Sequence, residues 1–213
     1  MPHLMILSVL YAATSADISH PHIFRTYSTR GSSLNPTIVE AICATISVPP
    51  QFAPVNIGER LVQRKFVGGP LGANNPTREL IREAGMAFGS DRRVAQIMSI
   101  GCGVPPIVSL DTENGEAGMD RLMRNTAADC QLVARELDAR LFNIEAYRRF
   151  NVERGMKNME LDNWDILGDI ETHTRSYIET NTVTKALDIS LGYLRSKIGT
   201  TTLGRLSMIT ITN

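Results

Sequence analysis

The stretch FVGGPLGANNP, Phe66–Pro76, constrains the fold more than any other part of the chain. Phe66-Val67 reads as the end of a buried strand. Gly68, Gly69 and Gly72 let the backbone take positive φ angles or approach another group closely. Asn74-Asn75-Pro76 then opens a helix, since Asn caps well and Pro at the first helical position loses only an N–H that had no partner. Strand, tight loop and helix in that order are the unit of a layered α/β domain. In open sheets of that class, ligands bind at the carboxyl ends of the strands, where this loop would sit. The same glycines would serve a purely geometric turn, and the residues alone leave both readings open.

The rest of the chain repeats this alternation. Residues 4–14 and His22–Ser28 read as strands. Asn35-Pro36 opens a helix that runs to about Ser47, with Asn35 as its cap, and Pro49-Pro50 stop it. Residues 51–59 read as irregular or a short strand. A helix over 76–88 places Leu80, Ile81, Ala84, Ala87 and Phe88 on one face, with Gly89 ending it. Residues 94–100, VAQIMSI, form a buried strand, and a loop spans 104–118. One long helix is expected over about 117–141, then a strand over Tyr147–Val152. Two more helices follow, at about 163–178 with Asp162 as cap and at about 183–198. In the second, Val183, Ala186, Leu187, Leu191, Leu194 and Ile198 make one stripe. The tail from Ser207 onward has no periodic partner.

Composition narrows the function classes. With 22 basic and 22 acidic residues the formal charge is zero, which argues against nucleic acid as the main ligand. Hydrophobic residues make up 43% and charged residues 21%, enough for a buried core. Cys43, Cys102 and Cys130 are odd in number and widely spaced. They read as reduced thiols of an intracellular, cytoplasmic protein and lack metal-ligand spacing. Leu4–Ala13 is apolar and could be a signal-peptide core or a buried strand; no Lys or Arg precedes it, and it is too short to span a bilayer.

Few side chains present a chemical constellation. His20-Pro21-His22 lacks a third metal ligand, so a strand edge or loop is the plainer reading. His173 reads as a surface or partly buried polar residue, Trp164 as a core anchor, and Arg148-Arg149 as a solvated face. Cys102, between Gly101 and Gly103, has no His partner in sight and reads as a buried structural thiol. A serine nucleophile elbow needs G-x-S-x-G. Only Gly68/Gly72 and Gly85/Gly89 stand four apart, with Pro70 and Ala87 in the middle, so the elbow is absent from these 213 residues. The G-x-G-x-x-G fingerprint and the P-loop are absent too.

Taken in order, several segments resemble the C-terminal half of the patatin-like phospholipase domain of fungal type. Ala12–Tyr27 resembles the family strand leading into its "lFRtY" segment, and Ile38–Gly58 the helix reading "aaRATsAaPtyF.P". Phe66–Leu80 resembles the "DGG.G.NNP" box. Val94–Gly103 resembles "iISIGTG", and Arg148–Ile178 the tail reading "yRFNV..G". The resemblance implies a three-layer α/β/α sandwich, here partial and with C-terminal helices, forming one incomplete domain over residues 1–206 and a tail at 207–213. It implies a serine-dependent lipid acyl hydrolase lineage, cleaving phospholipid or acylglycerol esters with a Ser-Asp dyad, an oxyanion hole and no metal or other cofactor.

Carried over residue by residue, the resemblance also implies losses. The family's serine elbow and Gly-rich loop precede the segment at Ala12 and would lie before Met1. The family's aspartate position is Gly68, which cannot accept a proton. Gly69 matches the second position of the box, and Pro70 stands where Gly or Ala is usual. Gly72, Asn74 and Asn75 keep the loop. No catalytic residue is then intact, and the chain reads as a degenerate hydrolase, a pseudoenzyme of marginal stability with an exposed sheet edge. The alternatives are a non-catalytic lipid- or protein-binding module on the same fold and a degenerate gene fragment. The partners implied are a phospholipid or membrane surface, or a chain that supplies the missing half.

Overall fold

The computed structural model describes residues 7–29, 34–69, 73–104, 115–127, 129–141, 144, 146–155, 164–196 and 199–208. In chain order the elements are β1 (Val9–Thr14), β2 (Asp17–Arg25), α1 (Ile38–Ile46), β3 (Val55–Ile57), β4 (Arg64–Gly68) and α2 (Thr77–Phe88). Then come β5 (Arg93–Val94), β6 (Ile97–Ile100), α3 (Gly115–Ala127), α4 (Gln131–Leu141) and β7 (Tyr147–Phe150). The chain continues through α5 (Leu167–Ile178), α6 (Asn181–Ser196), β8 (Thr201–Thr202) and α7 (Leu203–Met208). The class is mixed α/β, organised as two compact units: Met1–Asn74 with Leu110–Ala128, and Asn75–Ser109 with Asp129–Asn213.

The first unit is built on a four-stranded antiparallel sheet in the order β2-β1-β4-β3. Its core holds Ala12, Phe24, Ala41, Ala44, Ile57 and Phe66. Phe66 is fully buried, with the His22 and Phe24 rings each 5.1 Å from its own. Burial of such a side chain contributes about 1.5–3 kcal/mol. Helix α1 turns its small residues, Ala41 and Ala44, inward, which lets its backbone approach the sheet. Its outer face carries Ile38, Val39, Ile42 and Ile46, all exposed.

The start of α1 differs from the Asn-Pro expectation. Thr37 is the cap, not Asn35: its hydroxyl accepts from the Glu40 N–H, and the Glu40 carboxylate accepts from the Thr37 N–H. This reciprocal T-x-x-E box satisfies two orphan donors at once, which a lone Asn two residues earlier would not.

The outer edge of this sheet, β2, is closed by its own side chains. Thr26 N–H donates to the Ser8 carbonyl, so the register from His22 to Arg25 turns the Ile23 and Arg25 backbone groups outward. The Ile23 carbonyl accepts from Arg25 Nη1 at 3.1 Å, and Pro21 has no N–H to offer. Farther along, the Ser19 N–H donates to Asp17 Oδ1 at 3.0 Å.

The second unit packs Ile81, Ile97, Leu137, Leu141, Tyr147, Leu203 and Leu206 into one core. Strands β6 and β7 pair in parallel and β5 pairs with β8 antiparallel. The single strand expected over 94–100 is therefore two short ones that serve different partners. The long helix expected over 117–141 is also two. The Asp129 carboxylate accepts from the Gln131 N–H at 2.7 Å, and this local bond starts a fresh helix where the apolar stripe alone predicted continuity. Helix α7 runs through Met208, two residues into the stretch read as a tail. Of the α6 stripe, Leu191 and Leu194 are exposed, and the buried residue of that helix is Ser190. Asp162 and Ile198 lie outside the described residues, as does the Trp164 side chain.

Candidate functional site

The loop after β4 is shaped by the end of α1. In the β1–β4 ladder Ala12 faces Gly68, Ala13 faces Val67, and Gly69 would come next opposite Tyr11. That rung does not form. The Tyr11 carbonyl accepts from the Thr45 hydroxyl, and the Gly69 N–H turns to the Thr45 carbonyl at 3.2 Å. The Gly68 N–H donates to the Ser47 carbonyl at 2.6 Å, while the Ser47 hydroxyl donates to the Ala53 carbonyl at 2.6 Å. The chain thus leaves the sheet at Gly69, tied to the last turn of α1.

Glycine is needed at these two positions for closeness. Neither Gly68 nor Gly69 is among the glycines with positive φ. A Cβ on Gly68 would lie 2.9 Å from Val48 Cγ2, 3.1 Å from the Thr45 carbonyl oxygen and 3.2 Å from the Ser47 carbonyl carbon. A Cβ on Gly69 would lie 2.8 Å from the Tyr11 carbonyl oxygen. Both residues are buried. Ala73 N–H donates to the Gly69 carbonyl at 2.8 Å and closes the loop. Gly72 lies outside the described residues, and Asn74 is exposed.

In the second unit, the start of α2 belongs to a buried polar chain. Asn75 is only 4% exposed; its Nδ2 donates to the Cys130 carbonyl at 3.4 Å, and its Oδ1 accepts from the Thr77 hydroxyl at 2.6 Å. Ser99 Oγ lies 3.3 Å from Thr77 Oγ1, and Arg149 Nη1 donates to Ser99 Oγ at 2.6 Å. A guanidinium only donates, so the protons run one way: Arg149 to Ser99, Ser99 to Thr77, Thr77 to Asn75. Each bond polarises the next, and a charged donor heads the chain. Burial pushes the nearby Tyr147 phenol above its ordinary range.

Arg148 and Arg149 do not form a solvated face: both are partly buried, and Arg149 is held against Ser99 of the paired strand. The parallel register sets Ser99 opposite Arg149, and that pairing takes the side chain inward. Cys102 is exposed rather than buried, because the strand ends at Ile100; Cys130 is the buried thiol. His20 is exposed and pairs with Asp17 at 2.9 Å, while His22 packs on the aromatic rings. Burial, with Arg64 and Arg25 nearby, pulls the His22 pKa below its ordinary value. Among the described residues no three His, Cys, Asp or Glu side chains are grouped to hold a metal ion. No helix among them is long and apolar enough to cross a membrane.

No known protein-family model matches the chain, and no curated protein matches it.

Proposed function

We propose that this chain is a catalytically silent relative of the patatin-like lipid acyl hydrolases, on a partial three-layer α/β/α frame. The observation that carries the reading is Gly68. The order of strand, glycine loop and Asn-Pro helix start resembles the family's box, yet the position of its acid is a glycine packed beneath the end of α1. The dyad needs a carboxylate there to take the serine proton, and the 213 residues contain no G-x-S-x-G. The lineage activity would be phospholipid or acylglycerol ester hydrolysis, and this chain would not carry it out.

The test is turnover of a p-nitrophenyl ester and of mixed phospholipid vesicles by the purified chain. No turnover above buffer is expected. Turnover abolished by a serine-directed inhibitor would sink the reading.

A second reading, a binding module on the same fold, is favoured by the outer face of α1. Ile38 and Val39 are 76% and 69% exposed, and Ile42 and Ile46 continue that apolar strip. Contiguous exposed apolar surface of this kind marks interaction sites. Vesicle co-sedimentation and affinity co-purification, each repeated with Ile38→Asp, separate a lipid partner from a protein partner.

A further inference from the structure

Beyond that reading, and independent of it, the end of the β6–β7 pair carries donors without acceptors. Arg149 uses Nη1 on Ser99, and no carboxylate pairs with it among the described residues. Its Nε is shielded from water and has no hydrogen-bond partner. The Nδ2 of Asn151, two residues on and just past the end of β7, is in the same condition. Asn151 is only 9% exposed, and its orientation is fixed: Oδ1 accepts from the Gly103 N–H at 2.7 Å, so the Nδ2 hydrogens face elsewhere. An orphaned buried donor is costly and calls for an acceptor.

The surroundings suit a small oxyanion. Gly101 lies against both side chains: a Cβ there would meet Arg149 Nη2 at 2.6 Å and Asn151 Cγ at 2.7 Å, on the Oδ1 side of that amide. The position is the carboxyl end of a parallel strand pair, where α/β sheets present ligand sites. With Nη1 engaged, the edge of the guanidinium still without a hydrogen-bond partner is the Nε/Nη2 side, whose two parallel N–H groups match two oxygens of one anion. The chain from Ser99 through Thr77 to Asn75 holds that edge in place before any ligand arrives.

We propose that Arg149 and Asn151 form a binding site for a small oxyanion, a carboxylate or a phosphate group, at the end of β6 and β7. The test follows the thermal midpoint of the full chain as sodium phosphate or sodium acetate is added at constant ionic strength, with chloride as the balance. A saturable rise with either anion is expected; a response to phosphate alone assigns a phosphate group, and to acetate alone a carboxylate. No rise with either anion overturns the site. Arg149→Lys keeps the charge but lacks the planar edge, and its apparent affinity should fall about tenfold or more. Arg60→Gln, an exposed cation elsewhere, should respond like the unsubstituted chain. Equal responses from Arg149→Lys and the unsubstituted chain would refute the assignment. If Arg149→Lys does not fold, the Arg149 Nε–H resonance of the unsubstituted chain decides: it should shift on titration, and a stationary resonance rules the site out.

Discussion

The Gly68 N–H donates to the Ser47 carbonyl at 2.6 Å, which fastens the end of β4 beneath the last turn of α1. Any side chain at position 68 must displace Val48 or the backbone at Thr45 and Ser47. Gly68→Ala should therefore lower stability by about 1–3 kcal/mol, the usual cost of overpacking. Gly68→Asp should cost more, because it adds a buried carboxylate, and it should not confer ester hydrolysis. Urea unfolding of both variants checks the order. A Gly68→Asp chain as stable as the parent would show that the loop opens easily.

At the other end of α1, Thr37→Ala removes the side-chain half of the capping box. A loss of about 1 kcal/mol is expected. Asn35→Ala should change stability far less, because Asn35 is not the cap. Paired urea melts of the two variants test this directly.

His22 should make the first unit sensitive to mild acid. Its folded pKa is lowered, by burial first and then by Arg64 and Arg25, whereas an unfolded histidine titrates near 6.5. The unfolded chain therefore binds the proton first as pH falls. The contribution is present above about pH 6.5 and is lost as pH drops through that value toward the folded pKa. His22→Phe should flatten the loss between pH 7.5 and 5.5. An unchanged pH slope in that variant would assign the effect elsewhere.

Glu136 ties Arg78 of α2 to Arg140 of its own helix, α4. Burial pushes its pKa up, but the hydrogen bonds from both guanidiniums outweigh it, and the net shift is downward. Its stabilisation is thus present above the ordinary glutamate range and lost as pH falls through the lower, folded value. Glu136→Gln should cost about 0.5–1 kcal/mol near neutral pH, the scale of a partly exposed pair, and nothing once the parent carboxylate is protonated. Chemical melts of the two chains at pH 7 and at successively lower pH compare them.

Exposure separates the thiols. Maleimide should label Cys102 in the native chain and Cys130 only after denaturation. Rapid native labelling of Cys130 would contradict its burial.

Local chemistry was the legible part of the sequence. The strand through Phe66-Val67 and the helix to Phe88 follow from periodicity and from Gly89 as a stop, but that helix begins at Thr77 with Pro76, not Asn75, in the cap position and no side-chain cap bond. What needed distant partners was not legible. Gly68 must be glycine because Ser47 and Val48 arrive from another element, and pattern alone offered positive φ as an equal reason. Arg149 reads as a surface charge until the parallel register sets it opposite Ser99. The break at Asp129 had a local signal, an Asp two residues before a helical run, but the continuous apolar stripe outweighed it. Thr37 was legible too, through Glu40 three residues on, and the more familiar Asn-Pro start hid it.

The self-closed margin of β2 has a consequence for how the molecule behaves in company. Arg25, Pro21 and Asp17 leave few free rungs along its described length. A visiting strand finds only a broken ladder there, so templated stacking of copy upon copy is disfavoured on that side. Of the two margins of that sheet, β3 is then the one left for backbone pairing, and a contact made along β2 must be made through side chains.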